Sequence, residues 1–140
     1  MSAGPNESVD INMSKLLGAS ASSKQCFKIY LPNKDRFGNE MDAEEVETWT
    51  TLALDTFKKV NGGATAIKDL HGVWVDEDDP TIDFSEDTVL VYSFIQNAQR
   101  FLDNFDHLLA FIKKFGRETN QKVVLVEFDD AAFWISDFAV

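Results

Sequence analysis

Two amphipathic helical patterns, set among β-prone runs, constrain the fold of this chain more than any other feature. The first opens with Asp42 as a candidate N-cap and Glu45 three residues later, the capping-box pattern. The second follows Asn97, another candidate cap, and we expect Gly116 to end it. In both, apolar side chains recur at spacings of three and four: Val46, Trp49, Ala53, Phe57 and Val60, then Phe101, Phe105, Leu108, Ile112 and Phe115. Such stripes are typical of helices that pack one face onto a core.

Five β-prone runs surround these helices. The expected strands are residues 26–31, 65–75, 88–95, 122–128 and 131–135. Gly72, beside His71 and Trp74, is expected to mark a bulge, and Asp129-Asp130 a tight turn. The order β-α-β-β-α-β with one trailing strand predicts an α+β fold, a ferredoxin-like sandwich with an extra C-terminal strand. Both helices would then cover one face of an antiparallel sheet.

The first two dozen residues differ in composition from the rest of the chain. Residues 1–24 are rich in Ser, Ala, Gly and Asn, and their one apolar patch predicts a short helical turn near Met13–Leu17. A length of 140 residues suits one domain. We therefore expect a flexible leader at residues 1–24 and a single ferredoxin-like domain at residues 25–140.

Composition and charge exclude several classes of protein. Apolar residues make up 44% and aromatic residues 12% of the chain, too many for a disordered acidic tail. A formal net charge of −11 disfavours direct binding to nucleic acid or to an anionic membrane. The single cysteine, Cys26, cannot form an internal disulfide or a structural zinc site. No apolar run reaches the roughly 18 residues of a membrane span. We expect a cytoplasmic protein with no signal peptide, metal or cofactor.

Two of the expected strands carry large apolar residues on both of their faces. The run 88–95 is apolar at almost every position, and the run 122–128 has apolar side chains on both sides. A sheet with one solvated face alternates more cleanly, so the second face requires a cover. The leader, the extra hairpin or another subunit would supply it. We expect a homodimer joined face to face through the sheets, and a simple excess of Val and Ile is the alternative.

An acidic segment lies between Asp69 and Asp87, where eight acidic residues occur without any Lys or Arg. An EF-hand calcium loop does not fit, because its fifth and sixth positions, counted from Asp76, are Pro80 and Thr81. A solvated loop that keeps the protein soluble is one interpretation. Further acids at residues 40–47 and near the C-terminus favour another, in which acidic patches mimic the phosphates of nucleic acid.

The main hypothesis from the sequence is therefore an acidic protein-binding or regulatory module that engages a basic surface of a partner protein. It assigns no catalytic residue and leans away from an enzyme. Trp74 and Phe84 would supply the desolvated anchors of such an interface. The acidic residues expected to contact the partner are Asp76, Glu77, Asp78, Asp79, Asp83, Glu86 and Asp87.

The alternative hypothesis is a small-molecule-binding protein or small enzyme with a cavity near His71. A histidine there is a candidate general base near neutral pH, although no nucleophile is evident beside it in the sequence. Trp74 and Tyr92 are the other residues expected to line this cavity. The β-α-β-β-α-β order resembles that of dimeric α+β barrels, whose sheets enclose a small-molecule cavity. The turn Asp35-Arg36-Phe37-Gly38 resembles the Asp-Arg-Pro-Gly turn of ACT domains, which bind amino acids, with Phe37 in place of proline.

Overall fold

Five strands and two long helices follow the order that the sequence predicts, after one short N-terminal helix. The computed structural model describes residues 10–79, 81 and 83–140. The helices are α1 (Met13–Leu17), α2 (Ala43–Asn61) and α3 (Ala98–Glu118). The strands are β1 (Cys26–Pro32), β2 (Thr65–Val75), β3 (Asp83–Phe94), β4 (Val124–Phe128) and β5 (Ala131–Ile135).

The two long helices begin at the residues whose side chains cap them. The Asp42 carboxylate accepts a hydrogen bond from the Glu45 amide at 2.8 Å, and the Asn97 side chain accepts one from the Arg100 amide at 3.0 Å. These bonds satisfy amides that have no partner within the helix. Gly62, with φ of 87°, ends α2, and its N–H donates to the Lys58 carbonyl. The expected N-caps of both helices, Asp42 and Asn97, are confirmed.

The strands form one antiparallel sheet in the order β2-β3-β1-β4-β5. The first four have the ferredoxin-like arrangement, and β5 extends the sheet beyond β4 through a tight turn. Asp129 and Asp130 form that turn with φ of 53° and 62°, the left-handed pair that a two-residue hairpin requires. The predicted α+β fold, with helices packed on one face of an antiparallel sheet and an extra C-terminal strand, is confirmed.

The core lies between the sheet and the two long helices. Strand β1 contributes the buried side chains of Phe27, Ile29 and Leu31 to this core. The largest fully buried side chains are Phe57, Phe115, Ile29, Leu108 and Ile112. The rings of Trp49 in α2 and Phe115 in α3 pack edge to face, with centroids 5.2 Å apart. This contact joins the two helices above the sheet.

Several boundaries differ from the sequence prediction. Strand β3 begins at Asp83 and not at residue 88, because residues 83–87 pair with the second half of β2 in one long hairpin. Strand β4 begins at Val124 and not at residue 122. Helix α3 continues through Gly116 to Glu118 and ends at Thr119. Gly116 is a packing residue and not a helix stop, because its missing Cβ leaves room for the Phe138 ring. The bulge lies between Ile67 and Leu70, where Asp69 has φ of 63°, and not at Gly72.

The expected leader lies outside the described residues as far as residue 9. In its remaining part, the predicted short helix at Met13–Leu17 is confirmed, with Asn12 as its cap. Ser23 Oγ donates to the Ile95 carbonyl at 2.5 Å, so the end of this segment contacts the sheet. In the described part of the chain, no helix combines the length and the apolar character that a membrane crossing requires.

Candidate functional site

A cavity of about 420 Å³ lies at the end of the sheet where α2 finishes and α3 begins. We call it the helix-end cavity. Its lining residues are Asn61, Gly62, Gly63, Ala64, Thr65, Tyr92, Ser93, Phe94, Gln96 and Arg100. The volume falls within the range of roughly 300–1,000 Å³ that small-molecule sites occupy.

Glycines shape one wall of this cavity. Gly62 adopts the left-handed conformation that ends α2, and the chain then turns through Gly63 into β2. The Ser93 hydroxyl, buried in β3, donates to the Gly63 carbonyl at 2.6 Å and holds this turn against the sheet. At Gly62 and Gly63 this wall therefore consists of backbone alone, which the bond from Ser93 holds in place.

Arg100 forms the cationic side of the cavity. Its Nη2 donates to the carbonyls of Lys58 and Lys59 at 3.2 Å, and its Nε donates to the Lys59 carbonyl at 3.4 Å. A cation at the end of α2 complements the partial negative charge of a helix C-terminus. Among the described residues, the remaining nitrogen, Nη1, makes no hydrogen bond, so it is available to an anionic group in the cavity.

Two aromatic side chains and one amide complete the lining. The rings of Tyr92 and Phe94 meet edge to face, with centroids 6.1 Å apart and an interplanar angle of 88°. Both lie on the face of the sheet that the helices leave open. Asn61, the last residue of α2, carries an amide on the opposite side. The cavity thus combines an aromatic surface for a planar ring with a cationic side chain for an anionic group.

A second group of polar side chains lies in the half of the β2–β3 hairpin nearest its turn, where residues 71–75 pair with residues 83–87. Ser85 Oγ is 2.8 Å from His71 Nε2, and His71 Nδ1 is 3.5 Å from Asp87 Oδ1. His71 and Asp87 are opposite each other in the register, and both side chains are mostly exposed. The order hydroxyl, imidazole, carboxylate is that of a nucleophile, its base and the group that orients the base. Sequence reasoning missed Ser85, because strand pairing brings it to His71 from 14 residues away.

The other face of the same hairpin carries Trp74 and Glu86. The indole Nε1 donates to Glu86 Oε1 at 2.6 Å, and Phe84 is opposite Trp74 in the register. Burial raises the pKa of the Glu86 carboxyl, and the hydrogen bond from Trp74 and the charge of Lys34 oppose this only in part. Glu86 is therefore a half-buried acid rather than a solvated surface charge.

The predicted acidic patch is divided in the structure. Asp76, Glu77, Asp78 and Asp79 lie in the turn after β2, where the Asp76 carboxylate accepts from the Asp78 amide. Asp78 also pairs with Lys122 at 3.0 Å. Of the remaining predicted residues, Asp83 opens β3, and Glu86 and Asp87 point to opposite faces of the hairpin. The nine predicted contact residues therefore do not share one surface.

The structure separates the residues of the predicted alternative cavity. Tyr92 lies opposite Thr65, whereas Trp74 lies opposite Phe84, eight residues away along β3. At about 3.3 Å per residue, this separation is roughly 26 Å. His71 faces the opposite side of the hairpin from Trp74. Tyr92 alone of the three lines the helix-end cavity.

Most residues of the helix-end cavity were not predicted from the sequence. From the sequence, the run Asn61-Gly62-Gly63 predicts only the end of the first helix, and Arg100 has no predicted role. Two glycines after one long helix and an arginine in the first turn of the next were the available signal, and only the tertiary fold brings them together.

A groove of about 330 Å³ lies between the start of α2 and the end of α3. Its polar walls are mainly acidic, with Asp42, Glu44, Glu45 and Glu118 around Lys114. Asp42 is already engaged as the cap of α2. Within residues 10–79, 81 and 83–140, no group of three or more His, Cys, Asp or Glu side chains is arranged to hold a metal ion.

No protein-family model matches this sequence, and no curated protein matches it. Two solved structures of a phage SAM lyase are similar to it. One, in complex with S-methyl-5'-thioadenosine, has a TM-score of 0.58 and 15% identity over 81% of this chain and 89% of that chain. The other, in the apo state, has a TM-score of 0.55 and 16% identity over 82% and 90%. At this level of identity, the likeness establishes the shared fold.

The main functional hypothesis from the sequence, an acidic module that binds a basic partner protein, is wrong on this comparison. The solved structures that share the fold belong to a lyase, one of them bound to a small molecule. The division of the acidic patch agrees with this correction. The alternative, a small-molecule-binding protein or small enzyme, fits the findings better, and the fold is the one that a phage SAM lyase also has.

Proposed function

We propose that this protein binds a small adenosyl–sulfur molecule in the helix-end cavity and acts as a small enzyme on S-adenosylmethionine (SAM). The observation that carries the proposal is a cavity of suitable size and lining within a fold shared with a phage SAM lyase. Fold alone does not determine function, so the chemistry of the lining has to agree with the ligand.

The lining agrees with an adenosyl ligand at three points. The Tyr92 and Phe94 rings offer an aromatic surface to a planar base. The exposed side chain of Gln96 carries an amide that matches the donors and acceptors of a purine. The free Nη1 of Arg100 suits the carboxylate of the amino-acid part of SAM.

The charge of the protein supports the same ligand. A formal net charge of −11 attracts a cationic small molecule and repels nucleic acid. SAM carries a sulfonium, whereas S-methyl-5'-thioadenosine is the neutral thioether left when the bond to the amino-acid chain breaks. In that step the sulfur keeps the bonding electron pair. The amino-acid fragment compensates by bonding to its own carboxylate oxygen or by losing a proton from the neighbouring carbon.

Titration calorimetry with S-methyl-5'-thioadenosine and with SAM tests the binding, and chromatography of SAM incubated with the protein tests the turnover. We expect both ligands to bind, and S-methyl-5'-thioadenosine to accumulate only when the protein is present. Y92A should weaken binding of both ligands by about tenfold, since base stacking on an aromatic ring is worth roughly 1–3 kcal/mol. Y30A, a matched change on β1, should leave binding unchanged. The proposal would be refuted if the protein bound neither ligand.

A second candidate function is hydrolysis at the hairpin, favoured by the 2.8 Å contact between Ser85 and His71. In this proposal Ser85 Oγ attacks an ester carbonyl while His71 accepts the hydroxyl proton and passes it to the leaving oxygen. Water then cleaves the acyl-serine. A fluorophosphonate reagent should label Ser85 in the wild type and should label neither S85A nor H71A. Equal labelling of H71A would exclude this function.

The homodimer through the open sheet face and the cytoplasmic location belong to the proposal as well. On that face Phe94, Trp134 and Ile67 are 51%, 62% and 41% exposed. A second copy would cover these apolar side chains and would close one side of the helix-end cavity, to which Phe94 belongs.

A further inference from the structure

Asn61 carries a buried amide with no hydrogen-bond partner. Its Nδ2 and Oδ1 are both inaccessible to water, and among the described residues neither has a partner within hydrogen-bond distance. Asn61 is also one of the residues that line the helix-end cavity. These two properties coincide in one residue at the end of α2.

An unpaired buried amide is unusual, because nearly all buried polar groups in proteins are hydrogen-bonded. The side chain does not cap the helix, since neither of its polar atoms bonds to a backbone group of the described residues. The amide thus forms no hydrogen bond that would offset its desolvation, and an apolar side chain of similar size would avoid that cost. Residues that lower stability in this way tend to serve a binding or catalytic role.

We infer that Asn61 is the residue that selects the base of the ligand. Asn61 lines the cavity, and in this proposal its side chain rotates when the ligand binds and brings the amide against the bound molecule. Oδ1 then accepts a hydrogen bond from the 6-amino group of an adenine, and Nδ2 donates to a neighbouring ring nitrogen, the bidentate pairing that asparagine makes with adenine. The amide is satisfied only when such a ligand is present. This inference rests on the proposed function and adds the specificity of the same site.

The test is a double-mutant cycle between Asn61 and the 6-amino group. Binding of S-methyl-5'-thioadenosine is compared with binding of its 6-deamino purine analogue, by calorimetry, for the wild type and N61L. We expect the wild type to prefer the amino compound by about tenfold, the value of one well-formed hydrogen bond, and N61L to bind the two compounds almost equally. N104L is the matched control, because the Asn104 amide already donates to the Arg100 carbonyl at 2.8 Å and does not line the cavity. It should keep the wild-type preference.

Unfolding by urea provides a second measurement that does not depend on any ligand. N61L should unfold at the same urea concentration as the wild type or at a higher one, because leucine replaces an unsatisfied amide. A clearly lower midpoint for N61L would mean that the amide has a partner in the folded chain, and it would overturn the inference.

The outcomes distinguish the proposed function of the protein from the proposed role of Asn61. If the wild type binds neither compound, the proposed function fails and the specificity role fails with it. If the wild type binds both compounds and N61L keeps the same preference, the role of Asn61 is overturned while the proposed function stands. Loss of the preference in N61L alone, with unchanged stability, supports both.

Discussion

The indole Nε1 of Trp74 donates a 2.6 Å hydrogen bond to Oε1 of Glu86 across the β2–β3 hairpin. The pair lies on the face of the hairpin where Gly72 leaves space for the indole. Burial raises the pKa of the Glu86 carboxyl above its ordinary value of 4.5, and the bond from Trp74 limits that rise. The folded protein therefore holds the Glu86 proton more tightly than the unfolded chain does.

This relationship predicts a pH dependence of stability. The contribution from Glu86 is fully present below pH 4.5 and is lost as the pH rises through the raised pKa of the folded state. E86Q keeps an oxygen acceptor for Trp74 but cannot ionise. We expect the wild type to lose stability relative to E86Q as the pH rises from 4.5, measured by urea unfolding at a series of pH values. E77Q, a matched change in the exposed turn, should follow the wild type, and parallel curves for E86Q and wild type would refute the prediction.

The contact between Gly116 and Phe138 predicts a large effect of one methyl group. A Cβ at Gly116 would overlap the Phe138 ring, so G116A should lower the free energy of unfolding by about 1–3 kcal/mol, the usual cost of overpacking. At Gly63 nothing lies near the position of a Cβ, and G63A should stay within about 1 kcal/mol of the wild type. The double variant G116A/F138A should be less destabilised than the sum of its single changes. Additive effects would show that the ring does not occupy this space.

The turn between β4 and β5 predicts opposite effects of two substitutions at one residue. Asp130 has φ of 62°, which glycine adopts without strain and alanine does not. We expect D130G to raise the free energy of unfolding by about 0.5 kcal/mol and D130A to lower it by about 1 kcal/mol. Thermal unfolding followed by circular dichroism measures both. The same sign for both variants would contradict the left-handed turn.

Arg100 provides a prediction that separates the two proposed ligands. Only SAM has a carboxylate for the free Nη1, so R100M should weaken binding of SAM by about tenfold more than binding of S-methyl-5'-thioadenosine. R117M is the control, because Arg117 also donates to a backbone carbonyl, that of Phe138 at 2.9 Å, but does not line the cavity. Equal loss of both ligands in R100M would assign Arg100 a structural role only.

The open sheet face predicts the mass of the protein in solution. Light scattering should give twice 15.8 kDa, and the mass should not depend on salt if apolar contacts hold the two copies together. F94E, which places a charge on this apolar face, should give a monomer. L102E, a change of another exposed apolar residue on α3, should leave the dimer intact. A wild-type monomer at all concentrations tested would exclude the homodimer.

Local patterns were sufficient to predict most of the fold. The caps Asp42 and Asn97, the two apolar stripes and the Asp129-Asp130 turn act within a few residues of sequence, so their physics is visible in the sequence itself. The limits of β2 and β5 also agree with the structure. Gly116 was misinterpreted because its meaning depends on Phe138, which packs against it from another part of the chain.

The candidate site could not be predicted in the same way. Tyr92 was predicted to line a different cavity, one with His71 and Trp74. The residues Asn61, Ser93 and Arg100 meet only where α2, β3 and α3 come together. His71 was singled out without its neighbour Ser85, since a strand register decides which side chains face each other. The acidic segment attracted attention through its composition, yet composition does not reveal that Glu86 is half-buried and points away from Asp87.

The bulge at Asp69 shifts the alternation of side chains along β2 by one residue. Before it, Thr65 and Ile67 share the open face with Tyr92, and after it Leu70, Gly72 and Trp74 do, because the alternation has slipped by one residue. Every side chain from residue 70 to residue 75 therefore owes its face to this single irregularity. If β2 instead continued through Asp69 with regular alternation and no bulge, the two sides of the hairpin would be exchanged from residue 70 onward. His71 would then lie among the aromatic rings of the open face, and Trp74 would turn towards the side that carries the helices.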